Sequence, residues 1–126
     1  MAAEDLLVGA AALELSMASH GLASFHAQQA AEKALKALLT KHEIEFGKTH
    51  NIGQLLRLSD GAVPGIDERL AEARTLTPYA VRARYPGEGP LPDREEAGRH
   101  LALARRVLDE VALLLKPYLD AGPPRS

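Results

Sequence analysis

The chain contains no cysteine and no tryptophan, and only two phenylalanines and three tyrosines. Without cysteine there is no disulfide framework, no thiolate zinc site and no thiol nucleophile. With so few aromatics the core has to be aliphatic, which suits helices packed through Leu, Ala and Val. Valine and isoleucine are themselves sparse, and no stretch alternates apolar and polar residues for long enough to make a half-buried strand. The amino-terminal apolar run, MAAEDLLVGAAALELSMASHG, has Glu4 and Asp5 at its front, Glu14 inside it and no basic residue ahead of it. It is therefore expected to be neither a signal peptide nor a membrane span, and a cytoplasmic protein is expected.

What is present is 126 residues, 46% of them hydrophobic and 25% charged, enough for one domain that buries its own core. One helical unit is expected over residues 1–120, followed by a frayed tail, AGPPRS, at 121–126. The net charge of −2 supplies no global field for nucleic acid, yet residues 69–106 hold eight arginines against five acids. That region is locally basic.

The expected fold is all-α, an up-and-down bundle of four main helices plus a short one. In the first helix Ala3, Leu6, Ala10, Leu13 and Met17 recur at steps of three and four and predict one buried stripe. The following SHGLAS holds a glycine suited to end that helix and Ser24 to cap the next. In HAQQAAEKALKALL, residues 26–39, the residues Ala31, Ala34, Leu35, Leu38 and Leu39 fill one arc at 100° per residue. His26, Gln29, Glu32, Lys33, Lys36 and Thr40 fill the opposite arc.

A short helix is expected over about 51–58, with Ile52, Leu55 and Leu56 inward and Asn51 with Gln54 at capping spacing. A fourth helix starting near Asp67 buries Leu70, Ala73 and Leu76. Pro78 interrupts or kinks it, and Thr77 is placed to cap a further turn. RYPGEGPLP reads as a loop. Asp93 caps the last helix, in which Ala97, Leu101, Ala104, Leu108, Val111 and Leu115 form a near-heptad stripe, and Pro117 marks its end.

Several motifs bear on chemistry. GKT at 47–49 looks like the end of a phosphate loop, but His42 stands where that motif needs its first glycine, and no strand leads in. The five histidines show no i, i+4 pairing for a helical zinc site, so no metal and no cofactor are expected. Lys33 and Lys36, one turn apart, offer either a solvated face or an anion-binding one. His50 and Asn51 stand at a helix start, where free N–H groups attract anions unless capping uses them. RARYP at 82–86 sets Arg82 and Arg84 beside a tyrosine, either for phosphate and base contact or as solvated surface. Arg94 and His100, five residues between them, have the chemistry of a metal-free ribonuclease pair: histidine for the 2′-hydroxyl proton, arginine for the phosphorane. On one helix they lie about 120° apart and about 9 Å along the axis.

Taken together, HAQQAAEKALKALL at 26–39, HNIGQLL at 50–56, and Tyr79 followed by RYP at 84–86 resemble the HEPN domain family (higher eukaryotes and prokaryotes nucleotide-binding). Order and spacing match over nearly the whole chain. The resemblance implies an α-helical bundle, often dimeric, in prokaryotes frequently encoded beside a minimal nucleotidyltransferase as a toxin–antitoxin-like pair. It implies nucleotide as ligand, and Lys33, Lys36, His50, Tyr79, Arg82 and Arg84 are expected here to form the surface that contacts nucleotide or partner. Many members are ribonucleases with an R-x4–6-H motif, whose spacing Arg94 and His100 satisfy. Glu95 and Ala102 depart from that motif's usual neighbours. Three functions stay open: a binding module, a metal-independent endoribonuclease, and a structural adaptor whose alanine-lined faces mediate assembly.

Overall fold

Alanine-rich faces let helix axes approach closely, and the longest such face organises the structure. The computed structural model describes residues 2–13, 17–79 and 92–120. Its elements are α1 (Ala2–Leu13), α2 (Met17–Lys41), α3 (Ile52–Asp60), α4 (Ile66–Arg69), a 3-10 helix (Ala71–Tyr79) and α5 (Arg94–Asp120), with no strand among the described residues. The fold is an all-α helical bundle, as expected. RYPGEGPLP lies outside the described residues except for Pro92, which is fully buried, and so does the tail at 121–126.

α2 packs against α1 and α5 along most of its length and touches α3 and the 3-10 helix as well. Ala27, Ala30, Ala31, Leu35, Leu38 and Leu39 are all within one percentage point of full burial, so the apolar arc sits where its periodicity places it. The buried arc is wider than that pattern, however. Ser24, Gln28 and Glu32 are buried too, and they follow one another at i+4. An i+4 row drifts by about 40° per step, so it winds from one neighbouring helix to the next. Glu32 therefore leaves the solvent face on which its angle first places it.

Four expectations need correction. Gly21 does not end a helix: α2 runs through SHGLAS from Met17, because one mid-helix glycine costs only about 1 kcal/mol and packing on both sides outweighs it. Ser24 is accordingly no cap but an interior residue. In α1 the buried residues are Asp5, Leu6 and Gly9 with Ala2 half-buried, while Ala3 and Ala10 are exposed; the face is turned by less than one residue's 100°. Asp5 explains the turn, since its carboxylate reaches His26 and Lys33 on α2. The side chains of Leu13 and Met17 lie outside the described part.

The segment after Asp67 is the third difference. Leu70, Ala73 and Leu76 are buried at steps of three, and from Ala71 the chain is a 3-10 helix, in which residues three apart stack along one edge. That geometry gives three rows. Leu70, Ala73, Leu76 and Tyr79 face inward; Arg74 and Thr77 face α3; Glu72, Thr75 and Pro78 form an outer edge. Thr77 Oγ1 accepts the Ile52 N–H of α3 at 3.0 Å, and the further turn expected after it runs into residues outside the described part. Fourth, α5 continues past Pro117 to Asp120; so near a helix end, proline removes little beyond its own missing hydrogen bond.

The expected caps are present. Asn51 Oδ1 accepts the Gln54 N–H at 3.0 Å, and Asp93 Oδ1 accepts the Glu96 N–H at 2.8 Å. In α5 Ala97, Ala104, Val107 and Val111 are buried, with Leu101, Leu108 and Leu115 partly so. In the DGAVPG connection Gly65 adopts φ +91, open to glycine at little cost, while Asp60 Oδ1 accepts the Gly65 N–H at 3.0 Å.

Candidate functional site

The seventh residue of α5 is His100, only 7% exposed, and two other elements converge on it. From α2, Ser24 Oγ lies 2.7 Å from its Nδ1, and the hydroxyl is fully buried. From the end of the 3-10 helix, the Tyr79 ring lies 4.5 Å away centroid to centroid, tilted by 46°. Tyr79 ends the inward row of that helix, and the Thr77–Ile52 bond two residues earlier ties it to α3.

His100 and Tyr79 form one wall of a groove of about 700 Å³ between α5 and the 3-10 helix. The outer row of the 3-10 helix, Glu72, Thr75 and Pro78, lines one side. Glu96, Arg99, Leu103 and Arg106 of α5 line the other, at the three- and four-residue steps of one helix face. Arg106 also donates to the Arg69 carbonyl at 3.2 Å, which fixes its reach, and Arg69 pairs with Glu110 at 2.6 Å. Burial lowers the His100 pKa; the Glu96 charge opposes that shift and the Arg99 charge adds to it. The imidazole is therefore neutral near pH 7, able to donate from one nitrogen and accept at the other.

The cationic residues of α2 stand elsewhere. Lys33 Nζ donates to Asp5 Oδ2 at 2.6 Å, and His26 Nδ1 to Asp5 Oδ1 at 2.8 Å. Glu32, 5% exposed, collects Gln28 Nε2 at 3.0 Å, His50 Nδ1 at 2.9 Å and Lys36 Nζ at 3.1 Å. Gln28 Nε2 also donates to the His50 carbonyl at 3.1 Å, and Lys36 Nζ sits 5.5 Å from the centroid of Phe46. Burial alone would raise both carboxyls, but their hydrogen bonds outweigh it. Those from Lys33 and His26 hold Asp5 below the ordinary value, and those from Gln28, His50 and Lys36 do the same for Glu32.

The structure thus divides the sequence candidates. Tyr79 and His100 meet in the groove. Lys33, Lys36 and His50 form two clasps around buried carboxylates, outside the groove lining. Arg94 is exposed at the first residue of α5 and is not among the groove residues. Arg82 and Arg84 lie outside the described residues. At the α3 start, Thr49 takes the Asn51 N–H at 3.1 Å, Thr77 that of Ile52 and Asn51 that of Gln54, so capping consumes donors an anion would need. Ser24, Gln28, Arg99 and Arg106 went unselected in the sequence; the i+4 row Ser24–Gln28–Glu32 and the i+7 pair Arg99–Arg106 were the signals available.

Among the described residues no cluster of three or more His, Cys, Asp or Glu is placed to hold a metal ion, and no helix is long and apolar enough to cross a membrane. A family model for the HEPN domain matches residues 2–114, nearly the whole chain. The chain belongs to the HEPN domain family. No curated protein and no solved structure matches it. Within this HEPN domain the polar residues Gln28 and Glu32 of HAQQAAEKALKALL meet His50 of HNIGQLL, a contact that holds α2 to the start of α3.

Proposed function

We propose that this HEPN domain binds a nucleotide, free or as a unit of RNA, in the groove between the 3-10 helix and α5. The observation that supports this is the Tyr79–His100 wall with Arg99 and Arg106 on the same helix face. An aromatic ring stacks on a base, and guanidinium groups fork onto phosphate. Arg82 and Arg84, in the segment that follows Tyr79, are assigned to the same ligand on the family resemblance. Fluorescence anisotropy with labelled AMP and a short single-stranded RNA tests the site. Tyr79→Ala is expected to weaken binding by about fivefold or more, the worth of one base stack. Unchanged binding in both Tyr79→Ala and Arg106→Ala removes the groove as the ligand site.

Lys33, Lys36 and His50 are assigned to a protein-facing side, for a minimal nucleotidyltransferase in a toxin–antitoxin-type pair, with the HEPN domain as a homodimer. Their partly exposed heads support this: the side chains of Lys33 and His50 are 45% and 65% exposed. Co-purification with a nucleotidyltransferase, lost in Lys33→Ala and His50→Ala but kept in Tyr79→Ala, is the expected result, and light scattering reads the dimer.

A second reading is a metal-independent endoribonuclease, favoured by one observation: a neutral, buried His100 on a groove wall. Arg94, which does not line the groove of its own protomer, would have to reach the site from a second copy of the chain to stabilise the phosphorane, while His100 would move the proton. RNA cleavage in EDTA by the wild type but not by Arg94→Ala/His100→Ala supports it; no cleavage by either leaves the binding module.

A further inference from the structure

The Ser24–His100 contact carries information about which proton His100 offers the groove. Ser24 Oγ is completely buried, and His100 Nδ1 is its one hydrogen-bond partner among the described residues. The other acceptor common for a helical serine, the carbonyl four residues back, is not used here, although Thr40 and Ser59 both use theirs. Two tautomers are then unequal. If Nδ1 carried the proton and donated to Oγ, the serine O–H would be buried with no acceptor. If the serine O–H donates to Nδ1, donor and acceptor are both satisfied.

We infer that Ser24 is a positioning residue that fixes His100 as the Nε2–H tautomer, so that the groove presents a neutral hydrogen-bond donor selecting ligands with an acceptor oxygen such as a phosphate. Nδ1 is consumed by Ser24, which leaves Nε2 for the groove that His100 lines. The Tyr79 ring against the imidazole limits its rotation, so the donor has a set direction. Arg99 and Arg106 on the same face of α5 supply the positive charge that a phosphate requires, while Glu72 and Glu96 on the groove walls disfavour a ligand carrying several negative charges. The site therefore suits a nucleoside monophosphate or a phosphodiester better than a polyphosphate.

This inference rests on the groove being the nucleotide site, but its central claim is readable without ligand. In the full-length protein, 15N–1H correlation of the histidine rings at pH 7.5 is expected to show His100 with Nε2 protonated and Nδ1 bare and hydrogen-bonded. In Ser24→Ala the ring nitrogens should shift towards a tautomer mixture, and the His100 titration midpoint should rise, because a bond favouring the neutral form is gone. Ser24→Thr restores the hydroxyl, and Ser24→Cys keeps the size with a weak donor, so Thr-like recovery without Cys recovery separates the hydrogen bond from packing. A protonated Nδ1 in the wild type, or ring signals indifferent to Ser24→Ala, overturns the inference whatever the ligand does.

The ligand half is tested with AMP and adenosine as probes. The wild type should prefer AMP, and Ser24→Ala should shrink that preference several-fold while adenosine binding stays. Equal AMP preference in both proteins overturns the selectivity role of Ser24. Failure of the wild type to bind either probe overturns the nucleotide reading and leaves the tautomer result to stand or fall by its own spectrum.

Discussion

Glu32 on α2 accepts a hydrogen bond from His50 Nδ1 at 2.9 Å, across eighteen residues of sequence, and through it the residue preceding the α3 cap is held against the longest helix. The carboxylate is 5% exposed, whereas the imidazole side chain is 65% exposed. A buried acid is tolerable only if its lone pairs are filled, and Gln28 and Lys36 complete the set.

Replacing Glu32 by Gln should therefore destabilise the fold. The acceptor loses its charge, so Lys36 and His50 no longer meet a carboxylate, and the new amide NH2 faces donors instead of an acceptor. The exposed His50 arm contributes little; the Lys36 and Gln28 side of the cluster carries most of an expected loss of roughly 1–3 kcal/mol. Urea unfolding at pH 7 reads it as a lower midpoint with an unchanged slope. His50→Ala should cost visibly less than Glu32→Gln, and the reverse order would mean the cluster is not organised around the buried acid.

Acid should weaken the protein in two ranges. His100 has a pKa below the ordinary histidine value of about 6.5, so on acidification the unfolded chain binds a proton before the folded one does. Its contribution is complete above that ordinary value and is lost as pH falls through the lower native one. Asp5 and Glu32 have pKa values below those of ordinary carboxyls, so their stabilisation is present above about 4.5 and is lost at lower pH. Melting temperatures recorded from pH 7.5 to 3 should fall across both ranges. His100→Gln should flatten the upper one and Glu32→Gln the lower; a wild type whose melting temperature rises between pH 7 and 5, relative to His100→Gln, contradicts the assignment.

Gly9 sets how closely α1 approaches its neighbours. A Cβ there would stand 2.7 Å from Leu101 Cδ2 and 3.2 Å from the Ala23 carbonyl oxygen. The leucine end can swing aside, but the backbone oxygen of α2 cannot without moving the helix. Gly9→Ala is expected to cost about 1 kcal/mol despite alanine's better helix propensity, and Gly9→Val towards 3 kcal/mol. Thermal unfolding decides it: a stabilised Gly9→Ala would show that helix propensity outweighs packing here.

These cases also show which parts of the molecule were legible in sequence. The Ala/Leu arc of α2, the Asn51 and Asp93 caps and the inward Ile52, Leu55 and Leu56 depend on local periodicity and capping chemistry, which a sequence displays directly. Gly21 misled because propensity is a weak force beside packing on two sides. Leu70, Ala73 and Leu76 were rightly placed inside, but their three-residue step was a 3-10 signature rather than one α-helical face. In the site, Tyr79 and His100 were legible as residue types, whereas Ser24, 76 positions from His100, is a plain helical serine until the bundle closes. The Glu32–Lys36 pair is legible from its i, i+4 spacing, whereas Lys33 looks like a free cation because its partner, Asp5, is 28 residues away and becomes a buried acceptor only in three dimensions.

The last prediction concerns the joint that carries Tyr79. Thr77 Oγ1 accepts the Ile52 N–H at 3.0 Å, in a partly buried position, and the row Ala71–Arg74–Thr77 turns it towards α3. Thr77→Val preserves the shape and removes the acceptor, leaving one helix-start N–H unsatisfied, for an expected loss of about 1–2 kcal/mol. Thr77→Ser keeps the oxygen and should lose much less. Tyr79 lies two residues beyond this anchor, so the slack should reach the groove: AMP affinity should fall in Thr77→Val at temperatures well below its melting point, and recover in Thr77→Ser. If stability drops while affinity stays, Tyr79 is held by its contact with His100 alone, and the anchor serves only the start of α3.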